Sequence, residues 1–286
     1  METTLLLGKS IAEKIKTEIT LEAQSFLKQT GLAPTLCAIQ VGEEAASALY
    51  IKSQKRAAES CGIRHDLITL PITSSEADLV KEIGKANQNP KVHGVIIQTP
   101  LPKTFRADYV LDQIHPDKDV EAVTTSNLGR LGMNKSGLSP CTAGACLRMI
   151  EETKVDLFGK EAVVVGSSKT VGLPIFLLLV GKKMTSMICH TGTFKAGTFE
   201  SHVRRADVLV VAAGKPNLVP GSWVKEGSIV IDVGINQLDG KTVGDVEFES
   251  AKQRAAFITP VPGGVGPVTV MMLLKNLVAC AEKQRT

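Results

Sequence analysis

The chain has 286 residues, of which 43% are hydrophobic and 22% are charged. These proportions are typical of a soluble globular protein with one large or two modest domains. The net charge is +4 and the 33 Lys and Arg residues are scattered along the sequence. This pattern argues against a nucleic-acid partner and favours an anionic small molecule.

Cysteine spacing and apolar runs limit the compartment and the kind of site. The six cysteines form no CxxC pair and no metal-ligand spacing, so we expect reduced thiols and no bound metal. The first ten residues do not resemble a signal peptide, and the apolar run at 175–180 is too short to span a membrane. The sequence therefore predicts a soluble, cytoplasmic protein without a membrane partner.

The first half of the chain alternates between strand and helix patterns. We predict helices over 10–30, 45–61, 75–87 and 107–114, and strands over 35–42 and 65–71. The segment 92–102 is predicted to be a strand that runs into a Pro-stiffened loop. This alternation favours a parallel, right-handed α/β sheet. The segment 115–131 is rich in turn-forming residues and is predicted to be a loop.

The second half repeats the alternation. A helix over 143–152 leads into strands predicted over 162–165, 185–190, 207–212, 228–233 and 256–259, with helices over 171–181 and 198–205. A Pro/Gly loop then precedes an apolar C-terminal helix. We predict an α/β fold of two lobes with a cleft between them. The first lobe covers 1–147 and is joined by the helix 268–286, and the second, Rossmann-like lobe covers 148–267.

The stretch EAVVVGSSKTVGLP at 161–174 organises the second lobe. A short buried strand is followed by Gly166, two serines, Gly172 and a helix, which is how a dinucleotide-binding unit begins. The spacing Gly-x5-Gly differs from the general fingerprint, and an ordinary strand-to-helix turn would also fit.

Further motifs along the whole chain carry a family resemblance. They are GVIIQTPLP (94–102), KDVEAVTTSNLGRL (118–131), PCT (140–142), VVGSSKTVGLP (164–174), CHTGT (189–193), AAGKP (212–216), IDVGIN (231–236), VGDV (243–246) and TPVPGGVGP (259–267). With Tyr50 in its helix, they resemble the methylenetetrahydrofolate dehydrogenase/methenyltetrahydrofolate cyclohydrolase family, the bifunctional FolD proteins. These enzymes oxidise 5,10-methylenetetrahydrofolate to the methenyl form and hydrolyse that to 10-formyltetrahydrofolate.

The resemblance implies a folate site in the first lobe, an NADP-type site in the second, and a homodimer. The implied catalytic positions are Tyr50, Gln54, Gln98 and Glu121. The implied substrate-binding positions are Tyr50, Ile97, Gln98, Thr99, Pro262, Gly263, Gly264, Val265 and Gly266. The implied cofactor-binding positions are Thr142, Gly166, Ser167, Ser168, Gly172, His190, Thr191, Gly214 and Ile235.

Four departures fall on these positions. Gln54 replaces the Lys of the family's Tyr-x-x-x-Lys, and Glu121-Ala122 replaces Asp-Gly. Ser167 replaces the Arg of Gly-Arg-Ser, and Gly192 replaces the Lys of Cys-His-Ser-Lys-Thr. Without that Arg, and with no acidic residue at the end of the second strand, neither an NADP nor an NAD signature is complete. The resemblance favours NADP, with NAD as the alternative.

The change at position 54 bears on the second reaction of the family. Hydrolysis of the methenyl bridge requires proton shuttling, which a Lys of lowered pKa can perform and a Gln amide cannot. Lys52 and Lys55 point away on a helix and cannot substitute. Hydride transfer depends mainly on positioning, so we expect a dehydrogenase with weak or absent cyclohydrolase activity.

Glu121 leaves the substrate site open to two interpretations. The longer carboxylate either reshapes folate binding or reflects drift in a site without catalytic demand. The first hypothesis is therefore an NAD(P)-dependent methylenetetrahydrofolate dehydrogenase. A non-catalytic folate- or nucleotide-binding paralogue is the alternative, and a dehydrogenase for another small substrate is a third interpretation.

Overall fold

The computed structural model describes residues 2–43, 45–135 and 137–285, with only the backbone for 45–49. The strands are β1 Thr4–Leu5, β2 Thr35–Val41, β3 Arg64–Leu70, β4 Gly94–Ile97, β5 Glu161–Val165, β6 Thr185–Cys189, β7 Val208–Val211, β8 Ile229–Asp232, β9 Asn236–Leu238, β10 Lys241–Val243 and β11 Phe257–Ile258. The helices are α1 Gly8–Thr30, α2 Ala45–Ser60, α3 Glu76–Gln88, α4 Ala107–Leu111, α5 Thr125–Gly132, α6 Cys141–Glu152, α7 Gly172–Gly181, α8 Thr191–Lys195, α9 Phe199–Val203, α10 Phe248–Ala251 and α11 Val265–Gln284.

The chain divides into two compact units. The six-stranded unit comprises residues 1–13 and 142–269, and the three-stranded unit comprises residues 14–141 and 270–286. The sequence-based division had placed residues 1–13 in the first lobe. They group with the six-stranded unit because β1 pairs in parallel with β11, a pairing too short to leave a periodic signal in the sequence.

The six-stranded unit is a parallel sheet of order β1-β11-β8-β7-β5-β6, with a separate antiparallel hairpin of β9 and β10. Its central strands β5, β7 and β8 are almost entirely buried, as their Val- and Ile-rich runs predict. This confirms the predicted α/β class with a Rossmann-like sheet. The hairpin was not predicted.

The three-stranded unit has the parallel order β3-β2-β4, and β2 is buried along its whole length. Gly94 begins β4 where a Cβ would lie 2.2 Å from the Val120 side chain and 2.5 Å from the Leu277 side chain, so any larger residue would require these side chains to shift. Helix α3 lies where the sequence predicts a helix, and it begins with a capping box formed by Ser75 and Asp78.

The segment 92–102 forms a strand over Gly94–Ile97 that runs into a loop, as predicted. One prediction of local structure was wrong. The loop predicted over 115–131 contains α5, which begins where the Thr124 hydroxyl accepts a hydrogen bond from the N–H of Asn127. This N-cap outweighs the turn-forming composition of the segment.

Helix α11 is long and apolar enough to cross a membrane by length and composition alone, and 56% of its most apolar window is buried inside the protein. The core helix of a soluble protein passes the same test. This burial accounts for the apolar composition of the C-terminal helix.

Candidate active site

The six-stranded unit contains a cavity of about 430 Å³ at the carboxyl ends of β5, β6 and β7. It is lined by Val165, Gly166, Ser167, Ser168, Cys189, His190, Thr191, Phe194, Lys195, Phe199, Ala212, Ala213, Lys215 and Leu218. Five of the predicted cofactor positions are among them. The carboxyl ends of parallel strands are where open α/β sheets bind ligands.

The turn after β5 requires its two glycines. Gly166 has φ 114°, and a Cβ there would lie 2.2 Å from the carbonyl oxygen of Ala212. A Cβ on Gly172 would lie 2.0 Å from the carbonyl oxygen of Gly166. The start of α7 therefore packs directly against the turn, and the Ser168 hydroxyl accepts hydrogen bonds from the N–H groups of Val171 and Gly172.

A buried carboxylate shapes the loop after β7. Asp245 accepts hydrogen bonds from the backbone N–H groups of Ala213 (2.6 Å), Gly214 (2.8 Å) and Lys215 (2.9 Å), and from the Asn236 amide (2.8 Å). Three consecutive N–H groups are thus held on one carboxylate. This fixes the loop that forms one wall of the cavity.

A second buried carboxylate supports the first. Asp232 accepts hydrogen bonds from the N–H groups of Gly234, Asp245 and Val246. Burial, together with the nearby Asp245, raises the pKa of Asp232 to about 6, although the three N–H donors oppose this. A Cβ on Gly244 would lie 1.9 Å from Asp232 Oδ2. The glycines of IDVGIN and VGDV therefore make room for the two carboxylates, which accept hydrogen bonds from backbone N–H groups of the adjoining turns.

The end of β6 is organised by His190. The ring nitrogen Nδ1 of His190 accepts a hydrogen bond from the backbone N–H of Gly192 (3.0 Å). The backbone N–H of His190 donates to Thr193 Oγ1 (3.2 Å). A Cβ on Gly192 would lie 2.8 Å from the His190 ring. The glycine that replaces the family's Lys thus permits this contact.

The remaining predicted cofactor positions do not line the cavity. Thr142 lies half-buried in the first turn of α6, Gly214 is exposed with φ 65°, and Ile235 is 72% exposed before β9. Sequence reasoning missed two cavity lysines, Lys195 and Lys215. Lys195 follows Thr191 by one helical turn, and this spacing could have revealed it.

In the three-stranded unit, Gln54 lies at the centre of a buried polar cluster. Its Oε1 is 2.9 Å from His65 Nε2 and 3.4 Å from Gln98 Nε2. Gln54, His65 and Gln98 are exposed by only 0%, 8% and 6%. Burial lowers the pKa of His65, so the ring is neutral at pH 7. No motif in the sequence pointed to His65, which is 11 residues from Gln54.

Unpaired polar atoms mark this unit. Within the described part of the chain, the buried side-chain polar atoms without a hydrogen-bond partner are Gln54 Nε2, His65 Nδ1 and Asp119 Oδ1, and all lie here. Buried polar groups are normally paired, so such atoms point to a ligand or water. The other Asp119 oxygen accepts from the Thr124 N–H and the Asn127 amide.

Glu121 and Tyr50 have shifted pKa values. Burial, with the Asp119 carboxylate nearby, raises the pKa of the half-buried Glu121 to about 7. Burial, Glu121 and Cys141 raise the pKa of Tyr50 to about 12, although 42% of the residue remains exposed. The phenol is therefore a proton donor at neutral pH, while Glu121 exists in both protonation states.

Three further features involve predicted substrate positions. Ile97 ends β4 and is buried, and Thr99 is exposed two residues later. Ala122 has φ 52°, a conformation that favours glycine, which the family has at this position. Residues 262–266 lie in the six-stranded unit, where the N–H of Gly8 donates to the carbonyl of Gly263.

Comparison with known proteins decides the family. The model of the tetrahydrofolate dehydrogenase/cyclohydrolase catalytic domain matches residues 6–121, and that of the corresponding NAD(P)-binding domain matches residues 140–285. The chain belongs to the tetrahydrofolate dehydrogenase/cyclohydrolase family. This confirms the resemblance, and with it the prediction of an enzyme of one-carbon folate metabolism with an NAD(P)-binding domain.

Family members from several organisms are similar over their full length. The bifunctional protein FolD 2 of Geobacter metallireducens is 43% identical over 281 residues, which cover 98% of this chain and 97% of that one. The crystal structure of bifunctional FolD from Campylobacter jejuni is 41% identical, with TM-score 0.94 over 98% of this chain and 99% of that one. FolD from Trypanosoma brucei, crystallised with NADP and an inhibitor, is 35% identical, with TM-score 0.92 over 99% of this chain and 98% of that one.

Proposed function

We propose that this member oxidises 5,10-methylenetetrahydrofolate to the methenyl form with NADP, and that its cyclohydrolase activity is weak or absent. The observation that carries the proposal is the buried neutral trio Gln54, His65 and Gln98. It occupies the place where the family pattern has a Lys beside Gln.

The trio has no group suited to the hydrolytic step. Attack of water on the methenyl carbon requires proton transfers to and from the tetrahedral intermediate. The Gln54 amide does not titrate. His65 is neutral, and its Nε2 proton is committed to Gln54 Oε1. The trio can hold and orient a substrate through hydrogen bonds but cannot shuttle its protons as an ammonium would.

Oxidation makes different demands on the same residues. The methenyl product is a cation, which a neutral amide accommodates without the repulsion that an ammonium would exert. We assign Tyr50, Ile97, Gln98 and Thr99 of the three-stranded unit to substrate binding. Glu121 accepts or donates a hydrogen bond to the pterin according to its protonation state.

The cavity of the six-stranded unit fits a dinucleotide. Its glycine turn, the positive N-terminal end of the ten-residue helix α7 and the rigid loop held by Asp245 suit a pyrophosphate. Among its described lining residues there is no Asp or Glu. We assign Gly166, Ser167, Ser168 and Thr191 to contacts with the cofactor, which when bound accepts the hydride from the substrate.

The apolar surface of α7 supports a homodimer. The helix contains no charged residue, and Leu173 and Val180 are 39% and 44% exposed. Such a face is suited to a second copy of the chain. The free cysteines of the described chain are all buried, which suits a protein that functions in the reducing cytoplasm.

One observation favours the non-catalytic paralogue as the alternative. Ala122 adopts φ 52° beside a lengthened carboxylate, so the segment that should face the pterin is strained. Turnover separates the two functions. The purified protein given 5,10-methylenetetrahydrofolate and NADP should form NADPH at a rate proportional to enzyme. Folate-dependent thermal stabilisation without NADPH formation would establish the paralogue instead.

A further inference from the structure

At the cofactor site, the positions where the family has positive charges that could bind a 2′-phosphate carry uncharged residues. Ser167 takes the place of an Arg, and Gly192 takes the place of a Lys. Yet no described acidic residue lines the cavity to hold a ribose diol, as an NAD site normally would. The cavity lysines bear directly on this question.

Lys195 and Lys215 lie on opposite sides of the cavity. The sheet order places β5 between β6 and β7. Val165 at the end of β5 is paired in register with Cys189 of β6 and with Val211 of β7. Lys195 is in α8, after β6, and Lys215 is in the loop after β7.

General features of the fold distinguish the two sides. In a doubly wound sheet the pyrophosphate lies over the first strand-to-helix turn, and the 2′ substituent of the adenosine ribose lies at the end of the second strand. Here the first turn follows β5 and the second strand is β6. Lys195 is therefore on the side of the 2′ substituent. Lys215 is on the other side, next to the loop fixed by Asp245.

Both ammonium groups are available to an anion. Lys195 and Lys215 are exposed, and neither forms an ion pair with a described residue. Lys195 follows Thr191 by four residues in the same helix, so the two share a face. An ammonium and a hydroxyl on one face form a binding pair for a phosphate monoester.

We propose that Lys195 is the residue that selects NADP over NAD, by binding the 2′-phosphate at the end of β6. Lys215 attracts the phosphates common to both dinucleotides and does not discriminate between them. This inference rests on the proposed dinucleotide site. A single Lys is a point charge rather than a bidentate fork, so the selectivity it provides is moderate.

Calorimetric titration of the full-length protein with NADP, NAD, 2′,5′-ADP and 5′-AMP tests the inference. Lys195→Met should weaken the binding of NADP and 2′,5′-ADP by roughly tenfold, and it should change the affinity for NAD and 5′-AMP by no more than about twofold. Lys215→Met should weaken NADP and NAD by a similar factor. Lys241→Met, an exposed charge in β10 outside the cavity, is the control and should change none of them.

The outcomes separate the inference from the proposed function. Equal weakening of NADP and NAD by Lys195→Met, or no weakening of either, would overturn the role of Lys195 while leaving the dinucleotide site intact. Selectivity lost in Ser167→Ala but retained in Lys195→Met would also overturn it. If no nucleotide binds the natural protein at millimolar concentration, both the inference and the proposed cofactor fail. Circular dichroism of each variant confirms that it is folded.

Discussion

His65 Nε2 lies 2.9 Å from Gln54 Oε1, with both side chains buried. An amide oxygen only accepts hydrogen bonds, so the imidazole carries its proton on Nε2 and its Nδ1 is bare. The amide nitrogen of Gln54, Nε2, is a buried donor without a described partner. The neutral tautomer of His65 is thus matched to a Gln, and replacing that Gln alters both residues.

Gln54→Lys should raise methenyltetrahydrofolate hydrolysis at least tenfold, because a desolvated ammonium can relay protons that the amide cannot. The ammonium needs an acceptor, so the proton of His65 should move from Nε2 to Nδ1, which nitrogen NMR of the imidazole detects. Gln54→Met is the matched control and should leave hydrolysis unchanged. A Lys variant that hydrolyses no faster than the Met variant would show that the missing relay lies elsewhere.

Glu121 should make the protein less stable as the pH rises. Its folded pKa of about 7 exceeds the ordinary value of 4.5, so the folded state binds more protons between these values. Its favourable contribution is complete below pH 4.5 and is lost as the pH rises through 7. Glu121→Gln should therefore stabilise the protein by roughly 1 kcal/mol at pH 8 and hardly at all at pH 4.5.

Urea unfolding at the two pH values measures this difference. Glu226→Gln, at an exposed position, is the control and should change stability equally little at both. A Glu121→Gln variant with the same stability change at pH 4.5 and pH 8 would contradict the raised pKa.

Ala122→Gly should leave stability nearly unchanged, although the residue is only 1% exposed. Relief of the left-handed backbone at φ 52° is worth about 1–2 kcal/mol, which offsets the lost methyl burial and the greater flexibility of glycine. Ala58→Gly, at a fully buried position in α2, lacks that relief and should cost about 1–2 kcal/mol. Equal losses in the two variants by denaturant unfolding would argue against strain at Ala122.

Asp245→Asn should loosen the cavity wall. The amide has one acceptor oxygen in place of two, so several of the N–H groups of Ala213, Gly214 and Lys215 lose their partner. We expect a loss of about 2–3 kcal/mol in stability and a roughly tenfold weaker NADP affinity. Thermal unfolding and calorimetry measure these changes. Asp239→Asn, in the β9–β10 turn, is the control and should change neither stability nor NADP affinity. An Asp245→Asn variant that binds NADP as tightly as this control would contradict the role of the carboxylate.

The sequence predicted the elements whose signals are local. The buried run before Gly166, the helix that begins after Ser75 and the apolar C-terminal helix all depend on neighbouring residues, and each was found where expected. Strand β1 was missed because two residues carry no periodicity, and their partner is about 250 residues away. Helix α5 was missed because its single-residue cap was outweighed by turn-forming composition.

The site residues that belong to family motifs were predicted from the sequence, and those outside the motifs were not. Gln54 and Gln98 were found by resemblance, but His65 was not, because its contact joins a helix to a strand without any pattern in sequence. The role of Asp245 follows from three backbone N–H groups that converge only in the folded loop. Polar contacts between residues far apart in the chain produce no regular spacing in the sequence, so they could not be predicted from it.

The central claim is that oxidation proceeds without hydrolysis, and one cuvette tests it. The natural protein is given 5,10-methylenetetrahydrofolate and NADP, and NADPH and methenyltetrahydrofolate are followed together by absorbance. The two products should rise in equal amounts, and the methenyl form should then decay at or close to the rate of the buffer without enzyme. Rapid enzyme-dependent loss of the methenyl absorbance during NADPH formation would contradict the claim, since the cluster of Gln54 and His65 would then support hydrolysis without an ammonium.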